Sequence, residues 1–182
     1  MSEQFEVLNK KHIEFIQAQH LYFVATAAQS GTVNLSPKGM DSFKIINEQE
    51  VAWLNVTGSG NETAAHLLKD NRMTVMFCSF DKQPLILRLF GKALAIHPRD
   101  EAWQSYIDQF PELPGTRQFF KMEVDMVQTS CGFAVPYYKY EGERETLNFW
   151  AKKKGAAGIQ DYWADRNEMS IDGYPTDVLI RD

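Results

Sequence analysis

Between Thr57 and Thr63 the chain reads Thr-Gly-Ser-Gly-Asn-Glu-Thr, two glycines flanking a serine in a run of small and hydroxylic residues. A glycine turn that opens a helix leaves backbone N–H groups without intrahelical partners, and the partial positive charge of the helix start adds to them. That combination suits a phosphate. The hydroxyls of Thr57, Ser59 and Thr63 are further donors, and Asn61 stands where a helix cap is expected. Gly60 is expected to allow a close backbone approach or a positive φ. A second chemical candidate is Arg88. The period of two puts it on one strand face with Ile86 and Phe90, where a guanidinium among apolar neighbours requires a carboxylate or a ligand anion.

Other reactive residue types are sparse. Cys78 lies in the apolar run Thr-Val-Met-Phe-Cys-Ser-Phe and reads as a buried reduced thiol, and Cys131 beside Gly132 has no neighbouring base to activate it. Two cysteines make no disulfide framework. His12, His20, His66 and His97 lack HxH or HExxH spacing, so no metal is expected. Trp150 and Trp163 could stack on a planar ligand, although tail tryptophans more often serve packing or a subunit interface. No residue presents itself as a general base or nucleophile.

The elements that must position these groups follow from periodicity. Residues 5–19 carry Leu8, His12, Phe15 and Ile16 on one side and predict an opening amphipathic helix. Strands are expected at 21–27, 32–36, 42–46, 51–56, 73–80, 85–96 and 117–127, joined mostly by tight turns. Helices are expected after Thr63 and from Pro98 to Phe110. Gly91 inside the longest apolar strand predicts a bulge or a close backbone contact. The tail predicts a helix over 147–154, a break at 155–158 and a further helical turn holding Tyr162 and Trp163. Gly58-x-Gly60-x-x-Thr63 is also a dinucleotide fingerprint lacking its third glycine, but the gaps between most strands are too short for the crossover helices of a parallel sheet. The expected fold is therefore mainly β with peripheral helices, a six- to seven-stranded antiparallel Greek-key barrel.

At 182 residues, one domain over 1–182 is expected, with a helical extension from about residue 141 to 182. The chain is 44% hydrophobic and 24% charged, which excludes a disordered or fibrous class. A net charge of −5 gives no broad basic footprint for nucleic acid. No apolar run approaches the roughly 20 residues that span a bilayer, and the acidic start is unlike a signal peptide, so a soluble cytoplasmic protein is expected.

Taken together, Asn34-Leu-Ser-Pro-Lys38-Gly, Thr57 to Leu67, Arg88-Leu-Phe-Gly-Lys-Ala and Cys131-Gly-Phe-Ala-Val-Pro resemble the pyridoxamine 5'-phosphate oxidase-related, FMN-binding split-barrel family over nearly the whole chain. The similarity is greatest to the subgroup with the Thr-Gly-Ser-Gly-Asn-Glu-Thr stretch and a terminal Ser170-Ile-Asp-Gly173 motif. The resemblance implies a homodimer with FMN at the subunit interface, its phosphate held at the strand and helix start just described. In vitamin B6 oxidases two basic side chains at that helix start hold the phosphate; here Glu62-Thr63-Ala64-Ala65 stands in their place. The resemblance then implies Ser36, Lys38, Thr57, Gly58, Ser59, Asn61, Thr63 and Arg88 as cofactor-binding residues, with Lys38 and Arg88 supplying the positive charge. The arginine-and-histidine segment that holds pyridoxal phosphate in those oxidases has no counterpart in residues 170–182, so a different substrate is expected. The implied activity is an FMN-dependent oxidoreductase, since the flavin carries the redox chemistry and the protein supplies binding and orientation. The alternatives are a non-catalytic FMN-binding module for storage or sensing, and a flavin-free dimeric scaffold.

Overall fold

The computed structural model describes residues 2–179. Eight strands form one antiparallel sheet: β1 Ser2–Phe5, β2 Tyr22–Ala27, β3 Val33–Lys38, β4 Phe43–Asn47, β5 Glu50–Val56, β6 Arg72–Cys78, β7 Leu85–Ile96 and β8 Thr116–Cys131. Their order is β3-β2-β6-β7-β8-β5-β4, with β1 added to β8 on the side of β5. The sheet curls until its two ends meet. Tyr22 of β2 packs on Phe43 of β4 with ring centroids 5.1 Å apart, and Lys38 of β3 lies 5.0 Å over the Trp53 ring of β5.

Three expectations are corrected. The sheet has eight strands, because the segment before Asn9 is extended and pairs with β8 instead of opening a helix. Helix α1, Lys10–Gln17, starts late because Asn9 caps it reciprocally: the Asn9 side chain accepts from the His12 N–H at 3.0 Å, and the Asn9 N–H donates to His12 Nδ1 at 3.2 Å. The helix expected from Pro98 is reduced to α3, Trp103–Ile107, with turns on both sides.

Alternation along the strands builds the core. Val24, Val75, Leu87, Leu89, Phe120 and Met122 fill the barrel interior, while the intervening residues of β2, β6 and β7 face outward. Strand β5 and residues 117–120 of β8 are buried on both faces, since Ala52, Leu54 and Phe119 pack outward under Tyr106 and Phe110. This is why β5 runs Val-Ala-Trp-Leu from 51 to 54 without alternation. Gly91 is a bulge site as expected: the β7–β8 register shifts there, and a Cβ would sit 1.9 Å from the Glu123 carbonyl oxygen.

Helix α2, Glu62–Leu67, follows the glycine loop and lies against β2 and β7. Helix α4, Thr146–Arg166, is two helical segments joined at Gly155, whose φ of 67° and ψ of 174° break the helix inside the expected stretch. Beyond it, Met169 and Pro175 bridge a tight hairpin that contains Ser170 to Gly173. The last three residues of the expected extension, 180–182, lie outside the described residues.

Candidate functional site

Strand β5 ends at Val56 and α2 starts at Glu62, so the glycine loop hangs between two buried elements and needs anchoring from behind. The far end of the chain supplies this. Trp163 of α4 donates to Thr57 Oγ1, and Asn167 donates from Nδ2 to the Gly58 carbonyl at 3.2 Å. Arg117 of β8 donates to the Gly60 carbonyl at 3.1 Å. In a trans peptide the following N–H points opposite to the carbonyl, so the N–H groups of Ser59 and Asn61 are turned away from Asn167 and Arg117. Among the described residues neither N–H makes a hydrogen bond. Gly58 and Gly60 do this without a positive φ; the loop is held by its carbonyls rather than by a glycine-only conformation.

The loop borders a cleft of about 780 Å³. Asn34, Ser36 and Lys38 of β3 form one wall, Gly58 to Thr63 the floor, and Arg117 with Asp165, Ser170 and Ile171 the opposite side. Two cations meet here. Arg117 is 2% exposed, and its Nη1 donates to the Asn167 side-chain oxygen at 2.6 Å. Its buried Nε has no partner among the described residues. Burial pushes the guanidinium down to about 9, and burial first and then the charge of Arg117 push the Lys38 ammonium down to about 8. Neither has a carboxylate partner among the described residues. The nearby acids are otherwise engaged. Asp165 pairs with Arg166 at 2.7 Å, and the Glu62 carboxylate accepts from the Ile171 N–H at 3.1 Å.

Six of the residues singled out from sequence, Ser36, Lys38, Gly58, Ser59, Asn61 and Thr63, come together on this cleft. Thr57 is a buried anchor, its hydroxyl donating to the Gly115 carbonyl at 2.8 Å. Asn61 occupies the cap position of α2 without a capping bond. Its side chain is spent on Gln118, whose Nε2 donates to Asn61 Oδ1 at 2.8 Å. Arg88 is not brought to the cleft. It stands on the outer face of β7, bonded to Ser130 Oγ at 3.3 Å, three strand spacings or roughly 14 Å across the sheet from β3. The buried cation beside Lys38 is Arg117, which alternation alone hides because Arg117, Gln118, Phe119 and Phe120 are all buried. The available signal was a charged and an amide residue heading an aromatic strand.

A second cleft of about 670 Å³ lies on the other side of the Thr57–Ser59 turn. Two ring pairs stand in its walls: Tyr140 stacks on His20 with centroids 3.7 Å apart, and Trp150 meets Tyr162 edge to face. Trp163 takes no part in it, being packed with Ala151, Ile159 and Val178. Among the described residues, no group of three or more His, Cys, Asp or Glu is arranged to hold a metal, and no helix is long and apolar enough to cross a membrane.

Comparison with known proteins agrees with this architecture. The family model described as pyridoxamine 5'-phosphate oxidase matches residues 8–131. A curated relative, the pyridoxamine 5'-phosphate oxidase family protein ustO of Aspergillus flavus, is 34% identical over 94% of this chain and 76% of its own length. Among solved structures, a putative pyridoxamine 5'-phosphate oxidase from Lactobacillus delbrueckii superposes with a TM-score of 0.55 at 14% identity, covering 68% of this chain and 94% of that one. HupZ of Group A Streptococcus gives a TM-score of 0.55 at 17% identity over 67% and 98%. The FAD binding protein of Mycobacterium smegmatis gives 0.50 at 15% identity over 68% and 97%.

Proposed function

The chain belongs to the pyridoxamine 5'-phosphate oxidase family, and on that premise we propose that it is a cytoplasmic, homodimeric FMN-dependent oxidoreductase whose cofactor phosphate sits in the Lys38–Arg117 cleft. The observation that carries this reading is the meeting of these two cations, neither with a carboxylate partner among the described residues, beside a loop of unpaired N–H groups and hydroxyls. Bringing a charge out of water without a partner costs several kcal/mol, and a bound dianion offsets that cost for both cations at once.

The residues fit such a group. Lys38 and Arg117 supply charge, the Ser59 and Asn61 N–H groups and the Ser59 and Thr63 hydroxyls supply donors, and Thr57 holds the loop in place. Ser36 and Gly58 complete the lining. When bound, the flavin supplies the redox chemistry. Arg88 lies on the outer face with Phe23, Met76, Phe90 and Met126, half-buried side chains beside the exposed Leu35, and this is the face that a second subunit would cover.

The test is titration of flavin-stripped protein with FMN and with riboflavin, followed by anaerobic addition of NADH or NADPH. Tighter binding of FMN than of riboflavin, with bleaching of the flavin by a nicotinamide, is expected. Equal binding of the two flavins would remove the phosphate from this cleft. Tight binding without reduction by any nicotinamide or small amine would instead favour a storage or sensing module.

A further inference from the structure

The hairpin after α4 reaches across the sheet to the turn between β2 and β3. Asp172 accepts there from both the N–H and the hydroxyl of Thr32 at 2.8 Å, with Gly31 so close that a Cβ would lie 2.5 Å from the carboxylate. The same carboxylate oxygen stands 4.0 Å from Nε2 of His66, which is wholly buried on α2 and has no other partner for that nitrogen among the described residues. On its other side, His66 Nδ1 lies 3.1 Å from the Thr26 hydroxyl. Asn34 then donates from Nδ2 to Thr26 at 3.3 Å and to Thr63 at 3.2 Å, while Ser36 donates to Asn34 Oδ1 at 2.9 Å. Asn34, Ser36 and Thr63 line the anion cleft.

The direction of every bond in this chain depends on the histidine. A neutral imidazole carries one proton, and the Asp172 carboxylate favours it on Nε2, leaving Nδ1 as an acceptor. Thr26 must then give its proton to His66 and can only accept from Asn34, which fixes the Asn34 amide with its nitrogen toward Thr26 and Thr63. Thr63 is thereby an acceptor toward Asn34, and its own proton remains for the cleft. With the other tautomer the Asn34 amide can reverse, taking the proton of Thr63 and turning a lone pair toward the cleft.

We propose that the Asp172–His66 pair is a positioning device that acts through Thr26 and Asn34 to make the Thr63 hydroxyl a donor to a bound phosphate. The proposal rests on the reading of the cleft as a phosphate site. It gives the Ser170–Gly173 turn a role in ligand recognition, although Asp172 itself does not line the cleft.

Two measurements test it. The first needs no flavin: nitrogen NMR of the protein should show His66 as the Nε2–H tautomer, moving toward Nδ1–H in Asp172→Asn. The second is the FMN-to-riboflavin affinity ratio, expected to fall about tenfold or more in Asp172→Asn and in Thr26→Val, the loss typical of one hydrogen bond to a charged oxygen. Thr26→Ser should restore it, and in a Thr63→Val background Asp172→Asn should cost nothing further. An Nδ1–H tautomer in the parent, or an unchanged ratio in Thr26→Val, overturns the proposal. A parent protein that binds both flavins equally overturns the phosphate site itself, whichever tautomer is seen.

Discussion

The indole N–H of Trp163 donates to the hydroxyl of Thr57 at 2.8 Å, joining α4 to the start of the glycine loop across 106 positions of sequence. Because Thr57 passes its own proton to Gly115, one buried hydroxyl ties α4, the loop and the start of β8 together. Thr57→Val keeps the volume, strands the Trp163 N–H and leaves the Gly115 carbonyl only its bond from the Thr57 N–H, so it should destabilise the protein by about 1–3 kcal/mol. Trp163→Phe loses one bond and part of the ring packing, and should also loosen the loop. Denaturant unfolding and FMN titration read both effects; variants with parental affinity would mean the anchor is irrelevant to the site.

The charge on the cleft is assigned to Lys38 and Arg117. Lys38→Met and Arg117→Met should each weaken FMN roughly ten- to a hundredfold while changing riboflavin far less, and Arg117→Lys should recover only part of the loss. Arg88→Ala serves as the contrast. It should leave the FMN affinity close to parental, and a loss equal to that of Arg117→Met would return the phosphate to Arg88.

Binding should depend on pH in a definite direction. The Lys38 ammonium is held down to about 8, and a bound phosphate stabilises its protonated form and raises that value. FMN affinity is therefore greatest below about 8 and falls as pH rises through it. Lys38→Met should remove this limb. For the flavin-free protein the sign is opposite. The folded value lies below the ordinary 10.5, so the unfolded chain holds more protons between these limits, and this group makes the fold more stable as pH rises from about 8 toward 10.5.

Sedimentation of the parent should show a dimer at micromolar concentration. Met76 pairs directly with Arg88 across β6 and β7 on the half-buried outer face, so Met76→Lys places like charges together where a partner would pack. A monomer with unchanged cooperative unfolding is the expected outcome. A dimer that survives the substitution would put the interface elsewhere.

Most of the barrel was legible because local rules decide it. Strand-forming apolar runs marked β2 and β6, alternation marked β7, Gly91 marked its bulge, and the break at Gly155 divided the tail helix. The lining of the candidate cleft was legible where the chain supplies near-contiguous residues, from Gly58 to Thr63 and at Ser36 and Lys38. What stayed hidden depends on register between distant elements. Arg88 carries the stronger sequence signal, a charge in an alternating strand, yet the strand order sets it three positions from β3. Arg117 gives almost no such signal because both faces of β8 are covered there, and Asn167 becomes a loop anchor only once α4 has folded back. Asn61 looked like a cap because its type and position fit, but a buried amide partner at Gln118 competes successfully for its side chain.

The bridge from Asp172 to Thr32 spans 140 positions, which bears on the order of events during biosynthesis. All eight strands have been made once Cys131 has been added, whereas the anion cleft still lacks the wall supplied by Asp165, Ser170 and Ile171. A nascent chain can thus close its hydrophobic interior on the ribosome and remain unable to retain a ligand. If the cleft holds a cofactor phosphate as proposed, its capture follows closure of the barrel, and protein made without the cofactor should be folded but colourless rather than aggregated.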